Sequence, residues 1–460
     1  MKTDFIHSVL LAAGATGLML LNTAALAEPL GDSALKTNSK TGSQSSLQNS
    51  ISLQRAINLT LQKNPQLAAY PFYLRQADAD ALQANITPSP RLNLNTDNIL
   101  GSGNKSGLDE AEITLSLSQT IELGDKRQSR YQYASGKQQQ LQLEYDLTRL
   151  DVLAETSRRY YQLLALQAKG DLLEQSIERE RQALLVIKQR ARAGAVAQAD
   201  VANMALQLAN SEAQQDRNQR NQQQARLRLS HMWLAKAEFA QVRGTLNHLP
   251  ELPAEAELKA KIDNGINNSQ NGAILPDLRY QLALQRLADQ QLQLAQANGQ
   301  ADLRVQAGIR QFEASNDQAF TLGISMPLAF ENPNRGRIAR AQIQQQLSQQ
   351  QTEIKRQQLA LALTRIQQQL SANTEAATNL TERQIPLAEQ LLDASGKAYR
   401  QGRYSVLEWI DAQNQYFQLQ QQLIDTRLTV FSQILELERV LGMGIVSSTH
   451  SDVSDITATN

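Results

Sequence analysis

The chain has 460 residues, 45 Lys and Arg against 45 Asp and Glu, 41% hydrophobic residues and a mean hydropathy of −0.43. Balanced charge leaves no bulk basic surface of the kind that holds nucleic acid. Cysteine is absent, which excludes disulfides, thiolate metal sites, a cysteine nucleophile and a cysteine-borne lipid anchor.

Four histidines, His7, His231, His248 and His450, form no spaced pair, so no histidine-based metal or catalytic cluster is expected. Gly124-Asp125-Lys126 and Gly136-Lys137 lack the rest of a phosphate loop. No cofactor is called for, and the chain is not read as an enzyme.

Residues 1–27 read as a signal peptide: Lys2, an apolar run from Val9 to Leu21, and the small-x-small Ala25-Leu26-Ala27. Residues 28–50 are too polar to bury and read as a flexible lead-in. Leu53, Ala56, Ile57 and Leu61 then recur at helical spacing, with Asn64-Pro65 interrupting the run and Pro88 and Pro90 closing it.

Over 91–121 the period changes to two. Leu92 and Leu94, then Ile113, Leu115 and Leu117, alternate with polar residues around the glycine-rich Gly101–Asp109. This predicts a β-hairpin of about ten-residue strands, long enough to span a membrane with one apolar and one wet face; alone, the pattern fits a half-buried hairpin of a soluble protein at least as well.

From Lys126 the pattern is helical. Lys126 to Arg192 makes a rod of roughly 100 Å if continuous, with Leu184, Ile187 and Ala191 on a narrow apolar stripe. A return limb runs from Ala195 to Arg243, and narrow stripes on long rods pack side by side as coiled coils. Residues 244–275, with Pro250, Pro253 and an Asn/Gly-rich run, read as a linker.

Residues 276–442 repeat the plan. A helix comes first, then a hairpin over 302–328 in which Leu303, Val305, Ala307 and Ile309, and Phe320, Leu322, Ile324 and Met326, share one parity. Arg304 and Arg310 occupy the other parity, which must face water. A Gln-rich rod follows with Ile343, Leu347, Ile354 and Leu361 as its stripe, interrupted at Pro386 and Gly396. The tail, 443–460, reads as disordered.

The two rods turn alike. RARAGAVAQADVANMA, from Arg190, overlays AYRQGRYSVLEWIDAQ, from Ala398, with Gly194 under Gly402 and Asp200 under Glu408. Glycine accepts the positive φ that ends a helix, and an acid six positions on falls near the start of the returning helix, where the helix dipole favours it.

Each half thus reads helix, hairpin, long helical hairpin: mainly α with a pair of β-hairpins. Four strands leave open edges, which cannot sit in hydrocarbon, so spanning strands require several chains to pool them in one closed barrel. The other reading is a periplasmic or secreted coiled-coil scaffold with soluble hairpins.

The chain resembles the TolC-like outer membrane factor family. SLQRAINLTLQKNPQL from Ser52 looks like the family's first helix, and GAVAQADV from Gly194 and YRQGRYSVLEWIDA from Tyr399 look like its tip motifs. IELGDKR from Ile121 and PLAFENPNRGRIARA from Pro327 resemble the strand-to-helix junctions of the heavy-metal-efflux, CzcC-like branch.

The resemblance implies a homotrimer with a twelve-stranded outer membrane β-barrel and a periplasmic α-barrel. It also implies a periplasmic adaptor and an inner-membrane pump of the RND type, with metal, drug or protein as the exported class. Asp200 and Tyr399 match residues that hold the periplasmic aperture shut, and Glu408 and Asp411 match acids lining it. Gly194, Ala195, Val196, Gly402 and Ser405 fall at adaptor-facing tips. Tyr404 stands where the family's pattern has an arginine, which leaves Arg403 as the candidate for that role.

Overall fold

The computed structural model describes residues 50–442 apart from 238, 251–254, 268–274 and 329–330. The expected signal peptide, lead-in to residue 49, tail and part of the linker lie outside the described residues.

Strand β1 (Ser50–Ile51) leads into α1 (Leu53–Lys63), whose N-cap Ser52 accepts the Arg55 N–H at 3.2 Å. Asn64 ends α1 and caps α2 (Pro65–Ala68), where proline fits because a first-turn N–H has no helical partner. After α3 (Tyr70–Ala84) come β2 (Arg91–Asp97) and β3 (Glu112–Ile121), then α4 (Lys126–Arg192), unbroken for 67 residues, and α5 (Gln198–Ser230).

The return limb ends at Ser230, short of the expected Arg243. A 3-10 turn and β4 (Gln241–Val242) follow, β4 pairing in parallel with β1. Around that two-stranded sheet Tyr160, Leu163, Leu229, Trp233 and Phe431 form a core, and the Tyr160 hydroxyl donates to backbone carbonyls of this sheet region.

The segment read as a linker contains a helix, α6 (Glu255–Asn267), which runs through Gly265. Ile262 packs there with Leu275, Leu278 and Leu363, so burial outweighs the poor helical preference of Asn and Gly.

The second half comprises α7 (Pro276–Ala297), β5 (Leu303–Phe312), β6 (Gln318–Ser325), α8 (Arg335–Asn379), α9 (Ile385–Arg400) and α10 (Val406–Leu441). Pro386 and Gly396 do not break the helix as expected. A π-turn at Leu380–Gln384 absorbs the proline's missing donor. Gly396 lets an indole pack on the helix, since a Cβ there would lie 3.3 Å from Trp409 Nε1.

The stripe on α8 also differs from its reading. Ile343, Leu347, Ile354 and Leu361 are exposed, while Ala341, Ser348, Thr352, Leu359 and Leu363 face the neighbouring helices. A single chain leaves that apolar row uncovered.

The four long strands form one antiparallel sheet in the order β2-β3-β5-β6. Its register sets Leu94 beside Leu115, Leu115 beside Ile309 and Ile309 beside Phe320. The predicted apolar positions within the strands therefore share one face, and Leu92, Leu94, Phe320, Leu322 and Ile324 are exposed on it, while Met326 lies just beyond β6. The other face carries Thr114, Ser116, Ser118, Gln306 and Arg310. The outer edges of β2 and β6 pair with nothing among the described residues. No described helix is long and apolar enough to cross a membrane.

Candidate functional site

Both rod reversals follow one local scheme. Gly194 and Gly402 each adopt φ +73°, where a side chain would strain the backbone. The Ala195 N–H donates to Arg190 O and the Arg403 N–H to Ala398 O, both at 2.9 Å, closing the ends of α4 and α9 in the same way.

The acids then occupy the third residue of each returning helix. Asp200 accepts the Ala197 N–H at 3.3 Å. Glu408 Oε2 accepts the Ser405 N–H at 2.7 Å and its hydroxyl at 2.9 Å, while Ser405 Oγ accepts the Glu408 N–H at 3.3 Å, a reciprocal cap. These bonds from Ser405 hold the Glu408 carboxyl below its ordinary range. Asp411 is exposed, three residues on.

The tips meet in a shared core. Ala183, Leu184, Ile187 and Met204 of the first hairpin enclose Tyr399, Val406 and Ile410 of the second, with Val196 and Trp409 packed against them. Tyr399 is 1% exposed and stacks on Trp409 at 5.0 Å between ring centroids. Its hydroxyl has no hydrogen-bond partner, and burial pushes its pKa up, with the Arg190 charge acting against that shift.

Arg190, for which no role was expected, connects the two tips. Its guanidinium lies 4.8 Å from the centre of the Tyr399 ring, and Nη1 donates to Tyr399 O at 2.6 Å. A Cβ on Gly402 would lie 3.7 Å from Arg190 Nη2. The signal available in the sequence was an asymmetry: Arg190-Ala191 stands where the twin has Ala398-Tyr399.

Arg403 and Tyr404 are exposed, and neither side chain makes a hydrogen bond or ion pair within the described part of the protomer. Gly194, Ala195, Gly402 and Ser405 are exposed at the tips, and Val196 is half-buried.

Up the rods lies a second feature without a sequence signal. Glu180, 2% exposed, accepts from Ser211 Oγ at 2.9 Å, Ser176 Oγ at 3.1 Å and Gln207 Nε2 at 3.5 Å through Oε1, whereas Oε2 has no partner. Gln207 reaches on to Asn414 of α10 at 2.8 Å. No group of three His, Asp or Glu among the described residues is placed to hold a metal ion.

Residues 56–233 match the family described as "Outer membrane efflux protein". The cobalt-zinc-cadmium resistance protein CzcC of Cupriavidus metallidurans is 24% identical over 85% of this chain and 90% of its own length. The nickel-cobalt-cadmium resistance protein NccC of Alcaligenes xylosoxydans xylosoxydans is 22% identical over 63% of this chain and 62% of its own length.

Among solved structures, the outer membrane protein VceC of Vibrio cholerae superposes with a TM-score of 0.70 at 19% identity, covering 85% of this chain and 96% of that one. The outer membrane channel CmeC of Campylobacter jejuni gives 0.68 at 13%, covering 86% of each. With two structural repeats, a sheet apolar on one face and paired helical tips, the chain matches the outer membrane efflux protein family over residues 56–233 and has the fold of outer membrane channels, a likeness that supports an efflux exit duct.

Proposed function

We propose that this exit duct works as a trimer in the outer membrane of a bacterium, passing heavy-metal cations delivered by a periplasmic adaptor and an inner-membrane pump of the RND type. The observation that carries the reading is the sheet: four strands with a single exposed apolar face and two unpaired edges. Hydrocarbon tolerates the face but not the edges, so copies must close the barrel edge to edge. The uncovered α8 row, Ile343 to Leu361, supports further contact between copies along the rods. The metal class is supported by the names of the two resistance proteins.

In this reading the tips form the periplasmic mouth. Arg190, Tyr399 and Asp200 hold it, Glu408 and Asp411 ring it with negative charge that favours cations, and Gly194, Ala195, Val196, Gly402 and Ser405 meet the adaptor. Arg403 and Tyr404, exposed and unengaged in the protomer, are available to an adjacent copy or the adaptor. Opening separates the two tips, driven by the pump.

The test is deletion and complementation in the native host. Hypersensitivity to cobalt, zinc or cadmium, restored by the chain and accompanied by outer membrane fractionation, supports the proposal. Sensitivity confined to organic compounds redirects it to a drug duct, and recovery only in the soluble periplasm overturns it.

A further inference from the structure

The polar face of the sheet carries a charge pattern of its own, remote from the tips. At the loop end Asp97 lies beside Glu112, and Arg310, facing Thr114, is already committed: Nη1 is 2.8 Å from Glu112 and Nε donates to Thr114 Oγ1 at 2.9 Å. The middle of the face is neutral, with Asn93, Asn95, Ser116, Gln306 and Gly308. At the helix end stand Arg91, facing Ser118, and Arg304, facing Thr120, both exposed.

The acids that adjoin this end are taken. Glu122 is bound by Arg130 in two contacts, one of them Nη2 to Oε2 at 3.0 Å, and Asp302 is held by Lys126 at 2.6 Å. Neither the Arg91 nor the Arg304 guanidinium makes a hydrogen bond or ion pair with a described residue. On the same face β6 offers Ala319, Thr321, Gly323 and Ser325, so it supplies no countercharge.

We infer that Arg91 and Arg304 form an anion-favouring band inside the barrel at its helix-side end, which tunes the selectivity of the exit independently of the tip acids. The inference rests on the closed-barrel reading above. Low-dielectric walls concentrate the field of like charges in a narrow space, which gives unpaired guanidiniums there an influence they lack on an open surface. Both strands meet the band through backbone ladders that do not involve the side chains, so replacing the two arginines leaves the sheet's pairing intact.

The experiment is the reversal potential of purified wild-type, R91Q/R304Q and R91K/R304K proteins in planar bilayers across a KCl gradient. A change of one thermal-energy unit in lumen potential multiplies the cation-to-anion permeability ratio by roughly sevenfold, so the glutamine variant is expected to raise that ratio several-fold. The difference should shrink in about 1 M salt, where the screening length falls to about 3 Å. The lysine variant keeps the charge and is expected to keep the wild-type ratio.

An unchanged ratio in a glutamine variant of normal conductance overturns the band and leaves the duct standing. So does a lysine variant that shifts as far as the glutamine one. Wild-type protein that forms no channel at all overturns the barrel reading itself.

Discussion

Replacing Arg190 with alanine removes the contact that joins the two tips. The lost terms are a hydrogen bond from a charged donor to Tyr399 O at 2.6 Å, about 1.5–3 kcal/mol, and a cation–π contact at 4.8 Å, about 0.5–1 kcal/mol at a partly exposed site. Two features pull the sum down. Arg190 is half-buried and therefore screened, and Tyr399 O keeps the Gly402 N–H at 3.0 Å, so no carbonyl is orphaned. A net loss of about 2 kcal/mol corresponds to roughly a thirtyfold change in an equilibrium between joined and separated tips.

Single-channel recording reads that equilibrium directly. Arg190→Ala is expected to raise the open-to-closed ratio by that factor, and Arg190→Lys to fall between, because an ammonium lacks the planar fork that stacks on the ring. Dwell times in Arg190→Ala identical to those of the wild type would refute the assignment of the tip lock to Arg190.

Four further outcomes follow from the geometry. Burial raises the Glu180 pKa above its ordinary 4.5, so the folded state loses stability as pH climbs from that value through the raised one. Glu180→Gln is therefore expected to melt above the wild type at about pH 8 and to match it near pH 4; equal melting at the higher pH contradicts the buried, ill-satisfied carboxylate. A Cβ on Gly308 would sit 2.6 Å from the Leu115 carbonyl oxygen, whereas one on Gly323 meets nothing nearer than Gln306 Cβ at 3.8 Å. Gly308→Ala should thus abolish the proposed oligomer and Gly323→Ala preserve it, as denaturing gels without boiling would reveal. Neutralising Glu408 and Asp411 together is expected to lower cation selectivity, and unchanged selectivity removes the ring. Because the Glu408 pKa is depressed, its charge and its cap persist down through the ordinary carboxylate range and are lost only as pH falls through the lowered value. Disappearance of its share of selectivity at a higher pH counts against the cap geometry.

The parts of this protein legible from the chain alone are those governed by short-range rules. A period of two marked the strands, and the side-chain alternation of a pleated ribbon placed the apolar positions of all four strands on one face. Glycine at 194 and 402 marked the reversals because only glycine enters that backbone region without strain. The same rules misjudged Pro386, Gly396 and the Asn/Gly-rich α6 as breaks. There a π-turn, an indole and a small core offset the local preferences.

The α8 stripe failed for a related reason. Spacing identifies an apolar row but not whether the chain itself or another copy covers it.

The functional site was divided along the same line. Glu408 and Asp200 could be placed near helix starts from their distance to a glycine. That Glu408 spends its carboxylate on Ser405, and that Tyr399 is roofed by an arginine 209 positions earlier, could not. The pairing of β3 with β5, the burial of Glu180 between α4 and α5, and the unpaired state of Arg91 and Arg304 likewise join or separate residues far apart in sequence. Local sequence determined the four strands with their apolar face, most of the helices and the two glycine reversals. Tertiary structure alone decided which charges found partners, because that depends on packing between elements whose preferences contain no information about one another.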